Sequence, residues 1–205
     1  MIRGRTRSLG LLLLGLVAVC WTSATAWAVE PTEFVKEKAF KVSRILNQRA
    51  SKKRAKKLES ELQKTVDFAE LAAKSLGEHW VARTDAEKRE FLELLQQLLQ
   101  ANYQSKLEGK KVDKDYKIEY VEEKTRGEKA IVKTVVSVDA DKTPVQYKLV
   151  RRGDTWIAFD VVIDDIGLVE SYREEYTEII EAEGWAKLIE KMRARIKELE
   201  EAQKK

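Results

Sequence analysis

The chain has 205 residues, with 39 Lys+Arg against 35 Asp+Glu and a formal net charge of +4. It holds one cysteine, Cys20, one histidine, His79, and two prolines, Pro31 and Pro144. A lone cysteine excludes a disulfide framework, and a single histidine leaves little for histidine-based metal or triad chemistry.

Arg3, Arg5 and Arg7 form a cationic start, and an apolar stretch of roughly a dozen residues runs from Leu9 to Trp21. Thr22 and Ser23 interrupt it, and Ala26-Trp27-Ala28 follows. This order is that of a secretory signal with an A-x-A site, predicting cleavage after Ala28. The stretch falls short of the about 20 apolar residues of a membrane span. Val19 is too bulky to precede a lipoprotein-type Cys20. Removing residues 1–28 leaves about 177 residues in one domain, 29–205, with no cysteine. It also lowers the formal charge to +1, with 36 Lys+Arg against 35 Asp+Glu. The expected mature protein therefore has no thiol nucleophile or thiolate metal site, and its charge gives no case for nucleic acid.

In chain order, Val35, Ala39, Val42 and Leu46 recur at helical spacing between Pro31 and Asn47. A second helix is predicted from Ser51 to Thr65, with Ala55, Leu58 and Leu62 on one stripe. A third, short helix starts at Val66-Asp67-Phe68 and is stopped by Gly77. Thr84 with Glu87 forms a capping-box pattern opening a strongly apolar helix, with Phe91, Leu94, Leu95, Leu98, Leu99 and Tyr103 on its face and Gly109 at its end.

The period then becomes two. Tyr116, Ile118 and Tyr120 alternate with charged residues, Ala130 to Val138 is β-branched on both faces, Val145, Tyr147 and Leu149 alternate, and Trp156 to Ile163 is apolar almost throughout. Turn signals at Arg126-Gly127-Glu128, Asp139-Ala140-Asp141 and Arg152-Gly153-Asp154 suit antiparallel hairpins. Two helices close the chain, one holding Leu168, Val169, Tyr172, Tyr176 and Ile179, the other Trp185, Leu188, Ile189, Met192, Ile196 and Leu199. The predicted class is α+β, with a four-stranded antiparallel sheet between two groups of helices.

Chemistry is sparse. His79 lies just after a helix stop with no G-x-S-x-G or HEXXH nearby, and reads as a structural or surface histidine. Asp164 and Asp165 suit a turn or a helix N-terminus better than an acid–base pair. Asp160 is unusual inside an apolar strand. It could be a pocket base, a partner of an arginine, or a residue at a solvated strand end. The uninterrupted basic run Arg49, Lys52, Lys53, Arg54, Lys56 and Lys57 fits a solvated helix face, anionic headgroups or an acidic partner surface. The apolar helical faces and the two-sided apolar strands exceed a minimal core. Helices covering both sheet faces would account for them, and so would an aliphatic cavity between sheet and helices.

Particular strings resemble a known family. Asp67-Phe68, then Leu71-Ala72, Leu76-Gly77 and Trp80, are similar to the opening signature of the MlaC/toluene-tolerance family. The stretch from Asp160 through Asp164-Asp165-Ile166-Gly167-Leu168-Val169 resembles its most recognisable segment, running on into Tyr172-Arg173 and Tyr176. Pro144, Val145, Tyr147 and Leu149 resemble the preceding strand, and Gly184, Leu188 and Ile189 the closing helix. The resemblance spans roughly residues 32 to 195. Asp165 and Gly167 stand where the family pattern has Gly and Ser, and Glu170-Ser171 departs from its pattern before Tyr172.

The resemblance implies a twisted antiparallel sheet packed by helices around an apolar lipid pocket, an MlaC-like arrangement with NTF2-like features. It implies a monomeric, cofactor-free, non-enzymatic phospholipid carrier in the periplasm of a Gram-negative bacterium. Such a carrier shuttles lipid between an outer-membrane lipoprotein–porin complex and an inner-membrane ABC transporter with an MCE-domain ring, in retrograde maintenance of outer-membrane asymmetry. On the apolar faces, the candidate lipid-binding residues are Phe91, Leu95, Leu99, Tyr103, Tyr147, Val162, Ile166, Leu168, Val169 and Tyr172. The alternatives are another lipid cargo such as a hopanoid, a pocket enzyme with Asp160 or Asp164 as base beside a tyrosine, and a docking protein with a solid core.

Overall fold

The computed structural model describes residues 29–49, 51–107, 117–138 and 140–202, with backbone alone at 103–107 and 138. The predicted leader with Cys20, the helix stop at Gly109, Tyr116 and the side chain of Tyr103 lie outside the described residues.

Helix α1 (Pro31–Leu46) begins with proline in its first turn, where the missing N–H has no intrahelical partner to lose. Helix α2 (Lys52–Thr65) is capped by Ser51, whose hydroxyl accepts from the Arg54 amide. Arg54 itself is buried, and its Nη1 donates to the carbonyls of Leu46 and Gln48. It therefore ties off the C-terminal end of α1, whereas the other members of the basic run remain exposed.

Helix α3 (Phe68–Leu76) starts two residues later than predicted. Val66 leaves the helix to form a parallel bridge with Ala158, and Asp67 is the N-cap, accepting from the Glu70 amide at 2.9 Å. Gly77 ends α3 at φ +54, and the one-turn helix α4 (Glu78–Val81), not anticipated from periodicity, carries His79. The capping box forms as expected: Glu87 accepts from the Thr84 amide and hydroxyl, both at 2.8 Å, at the start of α5 (Asp85–Leu107).

The strands β1 (Lys117–Arg126), β2 (Lys129–Val138), β3 (Asp141–Arg152), β4 (Thr155–Ile163) and β5 (Ile166–Gly167) form one antiparallel meander in chain order. The sheet has five strands, not the predicted four, because β5 is too short for any periodicity to reveal. Strand β1 runs six residues past Tyr120. A bulge at Val121 shifts the register there, so the two-residue alternation breaks and the charged remainder no longer looks like strand. A second bulge places Phe159 as the extra residue of β4 opposite Lys148 and Leu149. Helices α6 (Leu168–Glu183) and α7 (Trp185–Ala202) close the described chain.

Asp164 and Asp165 join β4 to β5 at φ +48 and +64, with Ile163 opposite Ile166. Two left-handed residues between paired strands make a type I′ hairpin, in which Gly is preferred at the second position. An L-residue held there costs about 1 kcal/mol, partly offset by glycine's greater unfolded-state entropy. Asp165→Gly is therefore expected to stabilise the protein by about 0.5 kcal/mol, read as a higher urea midpoint at unchanged slope.

Candidate functional site

The apolar residues bury themselves in two separate clusters. One is wholly helical: Phe68, Leu71, Ala72 and Leu76 of α3, Phe91, Leu94, Leu95, Leu98 and Ala101 of α5, Val169, Tyr172 and Tyr176 of α6, and five residues of α7. The other joins Phe34 and Val35 of α1 to one face of the sheet through Ala130, Val132, Leu149, Trp156 and Ala158. No residue belongs to both.

The two layers meet along β4, where polar and backbone links join them. The Val66–Ala158 bridge is followed by a 2.7 Å bond from the Asp67 amide to the Ala158 carbonyl. Arg152, at the end of β3, pairs with the Asp67 carboxylate at 2.7 Å. Lys74 of α3 lies 5.1 Å from the centre of the buried Phe159 ring. Asp160 is the most buried of these links, at 3 % exposure. Its Oδ2 accepts from Lys148 Nζ at 2.8 Å and its Oδ1 from the Val169 amide at 3.0 Å. Gly167, the N-cap of α6, has no side chain to satisfy that amide, so a carboxylate from the sheet does so, at the end of the helix dipole that favours negative charge.

This geometry corrects the sequence reading of Asp160. Its partner is a lysine, not an arginine, because the bulge brings Lys148 into register with it. Arg173 instead donates to the Lys74 carbonyl through Nε and Nη2, at 3.2 and 2.6 Å, tying α6 to the end of α3. With both oxygens engaged, the Asp160 carboxylate holds the sheet to α6.

Helix α2 packs on α1 and also touches α5 and β4, so it reaches both layers. Leu62, Val66, Leu99 and Leu168 are half-buried side chains packed against the helical cluster, and Tyr120 and Tyr147 half-buried side chains packed against the sheet cluster.

The ten sequence candidates distribute unevenly over this arrangement. Phe91, Leu95, Val169 and Tyr172 lie together inside the helical cluster, Phe91 and Leu95 with no exposed surface. Leu99 and Leu168 lie at that cluster's edge, and Tyr147 at the edge of the sheet cluster. Val162 is half-buried opposite Gln146, and Ile166 is 68 % exposed at the β4–β5 turn. Tyr103 is on α5 with its side chain outside the described residues. Leu62, Val66 and Tyr120 are half-buried beside the same clusters and are not among those ten. The α2 stripe already contained Leu62, but nothing in its spacing says that α2 reaches both α5 and β4.

Two hydroxyls in the helical layer, those of Ser75 and Tyr176, are buried without a hydrogen-bond partner. Tyr176 stacks on Tyr172 at 5.1 Å between ring centres. Burial, with Glu175 adding to it, pushes the Tyr172 phenol up to about 12, and burial pushes Tyr176 well above the ordinary phenol range. Both phenols ionise more easily unfolded, so their contribution is full below about pH 10 and is lost as pH rises toward 12. The melting temperature is expected to fall steeply from about pH 10 upward, and the Tyr172→Phe/Tyr176→Phe double variant to flatten that fall. Melting followed by circular dichroism beside phenolate absorbance checks this.

The family model described as "MlaC protein" matches residues 36–194. The chain belongs to the MlaC family. The MlaC fold is seen directly in a solved structure, the phospholipid-binding protein from Ralstonia solanacearum in complex with a phospholipid. It aligns with a TM-score of 0.75 at 15 % identity, covering 83 % of this chain and 99 % of that one. A search of curated proteins finds no match. The MlaC signature residues now have physical roles. Asp67 caps α3 and pairs with Arg152, Phe68, Leu71, Ala72 and Leu76 fill the helical core, and the Tyr172-Arg173 pair places one ring in that core and one guanidinium on α3.

Proposed function

We propose that this MlaC-family chain is a non-catalytic carrier that holds phospholipid acyl tails between its sheet and its helical layer. The observation that carries the reading is the division of the apolar residues into two clusters that share no member, in a fold whose solved relative is a complex with a phospholipid. A protein of this size ordinarily merges such faces into one core, and an apolar space bordered by Leu62, Leu99, Leu168, Tyr120 and Tyr147 is suited to hydrocarbon. Aliphatic walls suffice, because acyl tails offer nothing to hydrogen-bond. At about 0.8 kcal/mol per methylene, two long chains left in water cost roughly 20 kcal/mol, so a phospholipid crosses an aqueous compartment only when enclosed. Residues 1–28 act as a cleaved secretory leader that delivers the carrier to the periplasm. There it works as a monomer, exchanging lipid with an outer-membrane lipoprotein–porin complex and an inner-membrane MCE-domain transporter, in maintenance of outer-membrane asymmetry. Among the described residues no helix is long and apolar enough to cross a membrane.

The test is mass spectrometry of lipid extracted from protein purified without detergent. Phospholipid at about one molecule per chain is expected. Consistent absence of stoichiometric lipid overturns the carrier reading, and a hopanoid or other lipid in its place revises the cargo. Leu99→Trp, which fills the border of the space, is expected to lower lipid content at least about twofold while the protein stays folded.

A further inference from the structure

The first two turns of α2 break the ordinary rules for a helix start. Lys52 and Lys53 occupy its first two positions and no acidic residue lies in the first turn, so cations sit where the helix dipole disfavours them. Lys52 with Lys56, and Lys53 with Lys57, are like-charge pairs one turn apart, which destabilise a helix further. Lys52, Lys53, Lys56 and Lys57 are all exposed and, with Ser60, line one surface groove. Several exposed lysines elsewhere pair with carboxylates, as in Lys36–Glu33, Lys41–Glu37 and Lys191–Glu183. Among the described residues no carboxylate pairs with Lys52, Lys53 or Lys56, and Glu61 of the same helix is taken by Lys38. A local arrangement that lowers helix stability without a structural partner points to a ligand outside the chain.

The groove continues onto α1 through direct contacts. Lys57 Nζ donates to Gln48 Oε1 at 2.8 Å, Gln48 Nε2 donates to the Arg44 carbonyl at 3.3 Å, and the Arg44 guanidinium stands 5.7 Å from the ring centre of Phe40. Phe40 is 62 % exposed. A cationic groove linked through Gln48 and Arg44 to an exposed aromatic ring matches the surface of a bilayer, with anionic headgroups for the lysines and a headgroup–acyl boundary for the ring.

We infer that the corner formed by the end of α1 and the start of α2 docks this protein on an anionic bilayer surface. The docking is peripheral and electrostatic, distinct from the holding of cargo between the layers, and does not depend on it. Because α2 also contacts both α5 and β4, docking through its outer face brings the proposed lipid site to the membrane.

The test is flotation with vesicles, using protein recovered from the soluble extracytoplasmic fraction of expressing cells. Vesicles of phosphatidylcholine with about one third phosphatidylglycerol are compared with phosphatidylcholine alone. Binding to the anionic vesicles is expected, falling roughly a hundredfold in the Lys52→Gln/Lys53→Gln/Lys56→Gln variant and recovering in the corresponding arginine variant. Raising salt to about 0.5 M should also abolish it. Equal binding by the glutamine variant and the parent overturns the assignment, as does equal binding to neutral vesicles. Failure of the parent to bind either vesicle also overturns it, leaving the groove to an acidic protein or to solvent. Lipid extracted from the same preparations reports the cargo separately, so a glutamine variant that keeps its cargo but loses the vesicles separates docking from carriage.

Discussion

Phe91→Ala is expected to cost about 4 kcal/mol of folding stability while leaving the lipid bound per folded molecule unchanged. The Phe91 ring has no exposed surface. It meets Tyr176 edge-on at 5.6 Å, Trp185 at 5.6 Å and Trp80 at 6.3 Å between ring centres. Truncation removes those three aromatic contacts together and leaves a cavity enclosed by α3, α5, α6 and α7, which close packing cannot easily refill. Urea denaturation gives the stability, and the lipid-to-protein ratio of the folded fraction gives the occupancy. A small stability loss with a large change in lipid content would place Phe91 on the wall of the lipid site. The contrast with Leu99→Trp makes the pair diagnostic, since the border residue is expected to change lipid content more than stability.

Asp160→Ala is expected to destabilise the protein by about 3 kcal/mol. Two losses combine: the Val169 amide at the start of α6 is left buried without an acceptor, and Lys148 loses its partner. Asp160→Asn keeps an acceptor for the amide and removes only the charge, so about half that loss is expected. Lys148→Met is expected to cost as much as Asp160→Ala, because it strands a carboxylate whose side chain is 2 % exposed. The coupling in a double-mutant cycle of Asp160→Ala with Lys148→Met measures the pair directly. If Asp160→Ala unfolds within about 0.5 kcal/mol of the parent, the carboxylate does not hold the layers together.

These two residues also separate the roles of the two layers. The helical cluster is a conventional core, held by ring packing and aliphatic burial. The seam along β4 carries specific acceptors and ion pairs that tie the sheet to α3 and α6. For a carrier this division is useful. In the proposed carrier the helical layer supplies the stability and the space between the layers is left for cargo.

Most element boundaries were legible in the sequence because their causes are local. Ser51, Asp67 and the Thr84–Glu87 pair announce helix starts through side chains that bond amides three residues on. Gly77 and Gly184 stop helices by adopting positive φ. The strands declared themselves by alternation until a bulge interrupted it, which is why β1 looked shorter than it is. The family was legible too, since its signature residues cap, stack and turn within short spans.

What the sequence determined by itself, then, was the order of helices and strands, their apolar faces and the family. What only the tertiary structure decided was which face covers which. Periodicity tells that the α5 stripe and the β2–β4 stripe are apolar, but not that they bury themselves apart, because one spacing serves a core and a cavity wall equally. Asp160 found Lys148, and Arg54 found the end of α1, through a bulge and a helix–helix turn, so neither partner was readable along the chain.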